Sequence, residues 1–237
     1  MAPDSEARTT ITPVQVPIGD HHLHGDLGIP PIPQGLIVFA HGSGSSRHSP
    51  RNQFVARVLR EEGLATLLID LLTPEEDEVD VETAEFRFDI PLLANRLVAI
   101  MDWLRQRGGT DALPLGLFGA STGGGAALIA AAERPADVRA VVSRGGRPDL
   151  AHEALPDVQA PTLLIVGGED AEVIALNQEA MAQMRGDVRL AIVPGATHLF
   201  EEPGALEDVA DLAASWFASA FSGKADLPRS AQAEARH

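Results

Sequence analysis

Six short runs of this chain are apolar at almost every position: residues 36–40 (LIVFA), 64–72, 115–118, 138–143, 162–166 and 188–193. A strand with one solvated face alternates apolar and polar side chains, so consecutive apolar positions predict strands covered on both faces. Between the runs lie stretches with helical spacing, at residues 52–62, 91–107, 122–133, 172–185 and 205–221, and a shorter helical piece near 148–155. In the first of these Phe54, Val55, Val58 and Leu59 share one face, and Gly63 ends it. Buried strands alternating with helices confine the chain to the α/β class, a mostly parallel doubly wound sheet with helices on both faces. The start differs. Residues 12–18 and 22–27 alternate around Gly19-Asp20, which predicts an antiparallel N-terminal hairpin at one edge of the sheet. The 237 residues suffice for one domain with a sizeable core. Residues 12–222 are expected to form it, with flexible segments at 1–11 and 223–237.

Acidic residues number 34 against 18 basic ones, a formal net charge of -16. That surplus repels nucleic acid and anionic membranes, so neither is an expected partner. No stretch reaches the ~18 consecutive apolar residues of a membrane-spanning helix. The first residues, MAPDSEARTT, show no basic start followed by an apolar stretch. No secretory signal is therefore expected, and a cytoplasmic location is the natural reading. The absence of cysteine removes disulfides, thiolate metal sites and a cysteine nucleophile. Nothing in the residues specifies an oligomeric state.

In an open parallel sheet, sites form beyond the carboxyl ends of the strands. Gly119-Ala120-Ser121-Thr122-Gly123 follows the run at 115–118 and opens the small-residue helix at 122–133. This G-x-S-x-G pattern between strand and helix exposes a serine hydroxyl on a sharp turn, and its glycines remove side chains that would clash across the turn. The helix N-terminus also favours negative charge developing there. A serine hydroxyl is a weak nucleophile and needs a base, usually histidine, held by a carboxylate. Asp170 follows the run at 162–166 through Gly167-Gly168-Glu169, and His198 follows the last run through Pro194-Gly195-Ala196-Thr197. Serine, acid and histidine thus occur in the chain order this architecture requires. Glu169 is a rival acid one position away.

His41-Gly42-Ser43-Gly44-Ser45-Ser46 follows the run at 36–40. Glycines there let backbone N–H groups approach a substrate carbonyl oxygen. Ser43 N–H is the expected first oxyanion donor, with Gly42 or Gly44 as alternatives, and Thr122 N–H the second. His41 and Gly42 are expected beside the substrate. No Gly-Lys-Ser/Thr follows, so the stretch is not a phosphate-binding loop.

The segments LIVFAHGSGSSRHSPRNQ, GLATLLIDLLTPEE, GASTGGGAAL, IVGGEDAEV and GATHLFEEPG together resemble the dienelactone hydrolase-like branch of the α/β-hydrolase superfamily, over about residues 12 to 221. The resemblance implies an α/β-hydrolase fold, with Ser121 as nucleophile, Asp170 as acid and His198 as base, and no metal or organic cofactor. The enzymes that name the family use a cysteine nucleophile. With serine in that place, the resemblance implies a general serine esterase acting on small-molecule carboxylic esters. Lactone or amide hydrolysis, acyl transfer and perhydrolysis use the same three groups, and a non-catalytic binding protein on this scaffold is the alternative of another class. Small hydrolase domains of this appearance also occur beside phosphoribosyltransferase domains, and nothing in this chain resembles that second domain.

Several residues carry weaker signals. Arg144 and Arg147, after the run at 138–143, could bind a substrate carboxylate bidentately, or Arg147 could pair with Asp149. His21, His22 and His24 suggest a metal, but a solvated strand edge is the favoured reading. The acidic stretch at 74–85 reads as an exposed loop, with Phe86 and Phe88 lining an acyl pocket or anchoring that loop. Only 18 residues, 144 to 161, separate the two strands between which this superfamily commonly places a large lid. A shallow pocket open to water and short acyl chains are therefore expected.

Overall fold

The computed structural model describes residues 9–223. Most of the two expected flexible segments, residues 1–8 and 224–237, lies outside the described residues. Eight strands form one sheet in the order β1-β2-β4-β3-β5-β6-β7-β8. β1 (Thr10–Ile18) and β2 (His21–Ile29) make the N-terminal hairpin. The hairpin already begins at Thr10, inside the stretch expected to be frayed. β2 runs antiparallel to β4 (Ala65–Ile69). From β4 onward the sheet is parallel, through β3 (Leu36–Ala40), β5 (Leu115–Ala120), β6 (Val138–Arg144), β7 (Thr162–Gly167) and β8 (Val188–Val193).

The continuous apolar runs serve two cores. In β3, Leu36, Val38 and Ala40 face the core under α3 (Ile90–Arg105) and α4 (Thr122–Glu133). Ile37 and Phe39 face the core under α1 (Pro50–Glu61) and α6 (Ala205–Ser222). α5 (Ala171–Met181) packs beside β7 and β8. Between β6 and β7 there is no lid. A short 3-10 segment, Pro148–Asp157, packs on α4, broken at His152 (φ 41°). Among the described residues no helix is long and apolar enough to cross a membrane.

One expectation fails. The acidic stretch is not a loop but helix α2 (Pro74–Thr83). Thr73 and Glu76 form a reciprocal cap: Thr73 Oγ1 accepts the Glu76 N–H at 3.2 Å, and Glu76 Oε2 accepts the Thr73 N–H at 2.8 Å. Pro74 opens the helix, and Glu75, Glu76 and Asp77 sit at its positive end. These local signals outweigh the charge density that suggested a loop. Past the helix, Phe86 packs partly buried against the core and anchors the turn, while Phe88 is 58% exposed.

Candidate active site

Ser121 sits at the turn between β5 and α4 with φ 49° and ψ -123°, a conformation few non-glycine residues adopt. Three hydrogen bonds hold it. Its N–H donates to Arg144 O at 3.3 Å, and its carbonyl accepts the N–H groups of Gly124 at 2.9 Å and Arg147 at 3.0 Å. The glycines around it are required by close approach. A Cβ on Gly123 would fall 2.3 Å from Ala40 O, and one on Gly119 would fall 2.5 Å from Gly124 Cα.

His198 and Asp170 meet as chain order suggests. His198 Nδ1 lies 2.6 Å from Asp170 Oδ2, while Glu169 is exposed and makes no contact with the ring. Gly145, just after β6, has φ 49°, and a Cβ on it would stand 3.2 Å from His198 O. Two residues on, Phe200 is buried with φ 55° and pins the histidine loop into the α1–α6 core. Glu202 Oε2 accepts the Thr197 N–H at 3.1 Å, and the Thr197 side chain, then the Glu202 and Thr197 N–H groups, hold its carboxyl below the usual range. Phe200 and Glu202 fall within the GATHLFEEPG segment, but nothing in its spacing marks either for a role. No hydrogen bond joins Ser121 Oγ to His198 in this structure. Such bonds often close only when substrate is bound.

The loop after β3 lies against Ser121, and a Cβ on Gly42 would stand 2.9 Å from Ser121 Cβ. Its N–H groups are not all free. Ser43 N–H, expected to face a substrate oxygen, donates to Thr122 Oγ1 at 2.9 Å. His41 locks the loop from the other side. Leu71 N–H donates to His41 Nε2 at 3.1 Å, so the ring proton is on Nδ1, which lies 3.0 Å from Gly42 O. Burial pushes this imidazole below its ordinary value and keeps it neutral, against the opposing pull of Gly42 O and of Asp70 and Asp77.

The two arginines behave differently from a carboxylate fork. Arg147 gives both arms of its fork to Asp149, Nε to Oδ1 at 2.8 Å and Nη2 to Oδ2 at 2.7 Å. Arg144 is buried over the Phe118 ring, 6.0 Å from its centroid, with no carboxylate partner among the described residues. Burial and then nearby Arg51 lower its pKa to about 10. In the leading hairpin His21 stands 3.7 Å from Glu75. Among the described residues no three His, Asp or Glu side chains converge as metal ligands.

An open, mostly parallel eight-stranded sheet with a serine elbow, and an acid and a histidine on the following loops, defines an α/β-hydrolase. Residues 24–221 match the dienelactone hydrolase family, and the chain belongs to it. It is 61% identical to a crystallised dienelactone hydrolase from Anabaena variabilis, covering 89% of this chain and 98% of that one, with a TM-score of 0.88. Est1E from Butyrivibrio proteoclasticus shares the fold at 16% identity, covering 89% of this chain and 99% of its own, with a TM-score of 0.74. A Mycobacterium tuberculosis protein provisionally named a phosphoribosyl transferase is 59% identical over 204 residues, which is 86% of this chain but 45% of that protein. The chain thus spans about half the length of that relative.

Proposed function

We propose that this hydrolase cleaves carboxylic esters of short acyl chain through an acyl-enzyme intermediate. The observation that carries the reading is the 2.6 Å contact between His198 Nδ1 and Asp170 Oδ2 on the loops beside the strained Ser121 turn. His198 Nε2 takes the Ser121 proton as Oγ attacks the ester carbonyl. The tetrahedral oxyanion is stabilised by the N–H groups of Ser43 and Thr122. A charged oxyanion is a stronger acceptor than a hydroxyl, so it displaces Thr122 Oγ1 from the Ser43 N–H. His198 then protonates the leaving alcohol as the C–O bond breaks, and the same ring activates the water that releases the acid. Asp170 fixes the ring so that Nε2 carries the lone pair.

The provisional name of the M. tuberculosis relative belongs to a longer protein, and the serine, acid and histidine of this chain favour hydrolysis for the stretch it shares. The test is a panel of nitrophenyl esters from acetyl to palmitoyl, run with the parent and with Ser121→Ala. Turnover should be highest at two to six acyl carbons and fall on the order of 10⁶-fold in the variant. Ser121→Ala activity within tenfold of the parent refutes the nucleophile, and a maximum at octanoyl or beyond refutes the short acyl site.

A further inference from the structure

A cavity of about 760 Å³ opens between the loop after β3 and helix α2. The stretch read as a loop is a helix that walls this space. Ser121 and His198 do not line the cavity, but Gly42 and Ser43 do. The same Gly42 lies directly against the Ser121 side chain. The same loop therefore borders both the serine and the cavity.

The charges lining the cavity are largely matched internally. Arg47 pairs with Asp70 through its guanidinium and its N–H, and its Nε stands 3.6 Å from Asp26 Oδ2. Arg87 Nε donates to Asp80 Oδ2 at 2.6 Å. The Asp77 carboxylate has no such partner, and the side chains of His24, His48, Ser43 and Ser45 donate and accept no hydrogen bond among the described residues. An arm bearing a carboxylate would have to displace Asp70 or Asp80 from its arginine while facing Asp77. An aliphatic arm would meet Leu72, Val81 and Leu93 but would return no hydrogen bonds to the partly buried His24, Ser43 and Ser45 it covers. An arm bearing several neutral hydroxyls matches all of them, because a hydroxyl, like a neutral imidazole or serine, both donates and accepts.

Resting on the esterase reading above, we infer that this cavity receives the alcohol part of the substrate, and that this alcohol is a neutral polyhydroxylated one, a sugar or polyol. The short acyl group stays at Ser121, so the longer arm is the alcohol. The experiment compares kcat/KM of the parent on monoacetylated glucose, hexyl acetate, acetylcholine and O-acetyllactate, with nitrophenyl acetate as the reporter of the serine chemistry. The glucose ester should exceed each of the other three by about tenfold or more, the factor one well-made hydrogen bond supplies. Asp77→Ala and His48→Ala should each lower the ratio of glucose acetate to nitrophenyl acetate kcat/KM about five- to tenfold. His48 is exposed, so its variant folds even if the change in the first turn of α2 does not. A preference for the aliphatic, cationic or carboxylate ester, or a ratio that neither variant moves, overturns the inference while hydrolysis of nitrophenyl acetate upholds the esterase reading. No hydrolysis of nitrophenyl acetate refutes the esterase reading itself, and this inference falls with it.

Discussion

Replacing Asp80 with alanine should destabilise the protein by about 3 kcal/mol. The side chain is 3% exposed and closes the turn after α2 almost alone. Its Oδ1 accepts the N–H groups of Phe86 at 2.7 Å and Arg87 at 2.9 Å, and its Oδ2 accepts Arg87 Nε at 2.6 Å. Burial pushes this carboxyl up, but the Arg87 N–H and guanidinium with the Phe86 N–H outweigh burial and hold it below the usual range. Removing one partner of a buried pair costs about 3–5 kcal/mol, and the low end applies because the Arg87 side chain is 24% exposed and regains water. For a domain of this size that is a drop in Tm of roughly 6–12 °C. Asp80→Asn keeps an acceptor for the two N–H groups and should lose about half as much. Glu78→Ala, on the exposed face of the same helix, should stay within about 0.5 kcal/mol. The folded-state pKa of Asp80 lies below its unfolded value. Its stabilising share is therefore complete above about pH 4 and lost as the pH falls through the folded value. The assay is urea unfolding at neutral pH and near pH 3, for the parent and the three variants. A loss under about 1 kcal/mol for Asp80→Ala at neutral pH would refute the claim that this carboxylate holds the α2 turn.

Gly123→Ala should cost about 3 kcal/mol or more, because the new Cβ would meet the backbone carbonyls of Ala40 at 2.3 Å and His41 at 2.6 Å, and Gly108→Ala, with open space around it, serves as the near-neutral control in the same melting experiment. The folded His41 pKa lies below its unfolded value, so the stability it contributes is complete above about pH 6.5 and lost as the pH falls through its folded value. His41→Gln, which does not titrate, should show a smaller drop in urea midpoint between about pH 7.5 and 5 than the parent, and an equal drop would count against a neutral His41 lock. Thr122→Val frees the Ser43 N–H but also removes the hydroxyl that holds the loop after β3 against the serine turn, and the lost positioning should prevail and lower kcat about tenfold with little change in KM, while Thr122→Ser should retain activity. Faster turnover in the valine variant would mean that the hydroxyl only competes for that donor.

The order of strands and helices, and the placing of Ser121, Asp170 and His198 after strand ends, were legible in the chain because they depend on local periods and local punctuation. An apolar run such as LIVFA reports burial on two faces, whichever strands flank it. The Gly119 and Gly123 spacing reports a turn too tight for a Cβ. Helix α2 was also written locally, in Thr73-Pro74-Glu75-Glu76, but its charge masked the capping signal. What the tertiary structure alone decided is how the loops meet. Thr122 and Ser43 are 79 residues apart, and their hydrogen bond exists because β3 and β5 are neighbours in the sheet. Asp170 rather than Glu169 reaches His198 because its side chain turns inward from the β7 end while its neighbour points to water. The cavity walled by α2 needs the chain order to be broken, with β4 between β2 and β3, so that His24, Ser43 and Asp77 face one space. Periodicity fixes which residues are buried, but the sheet order and the direction of each side chain fix which of them meet, and those arise only when distant segments pack.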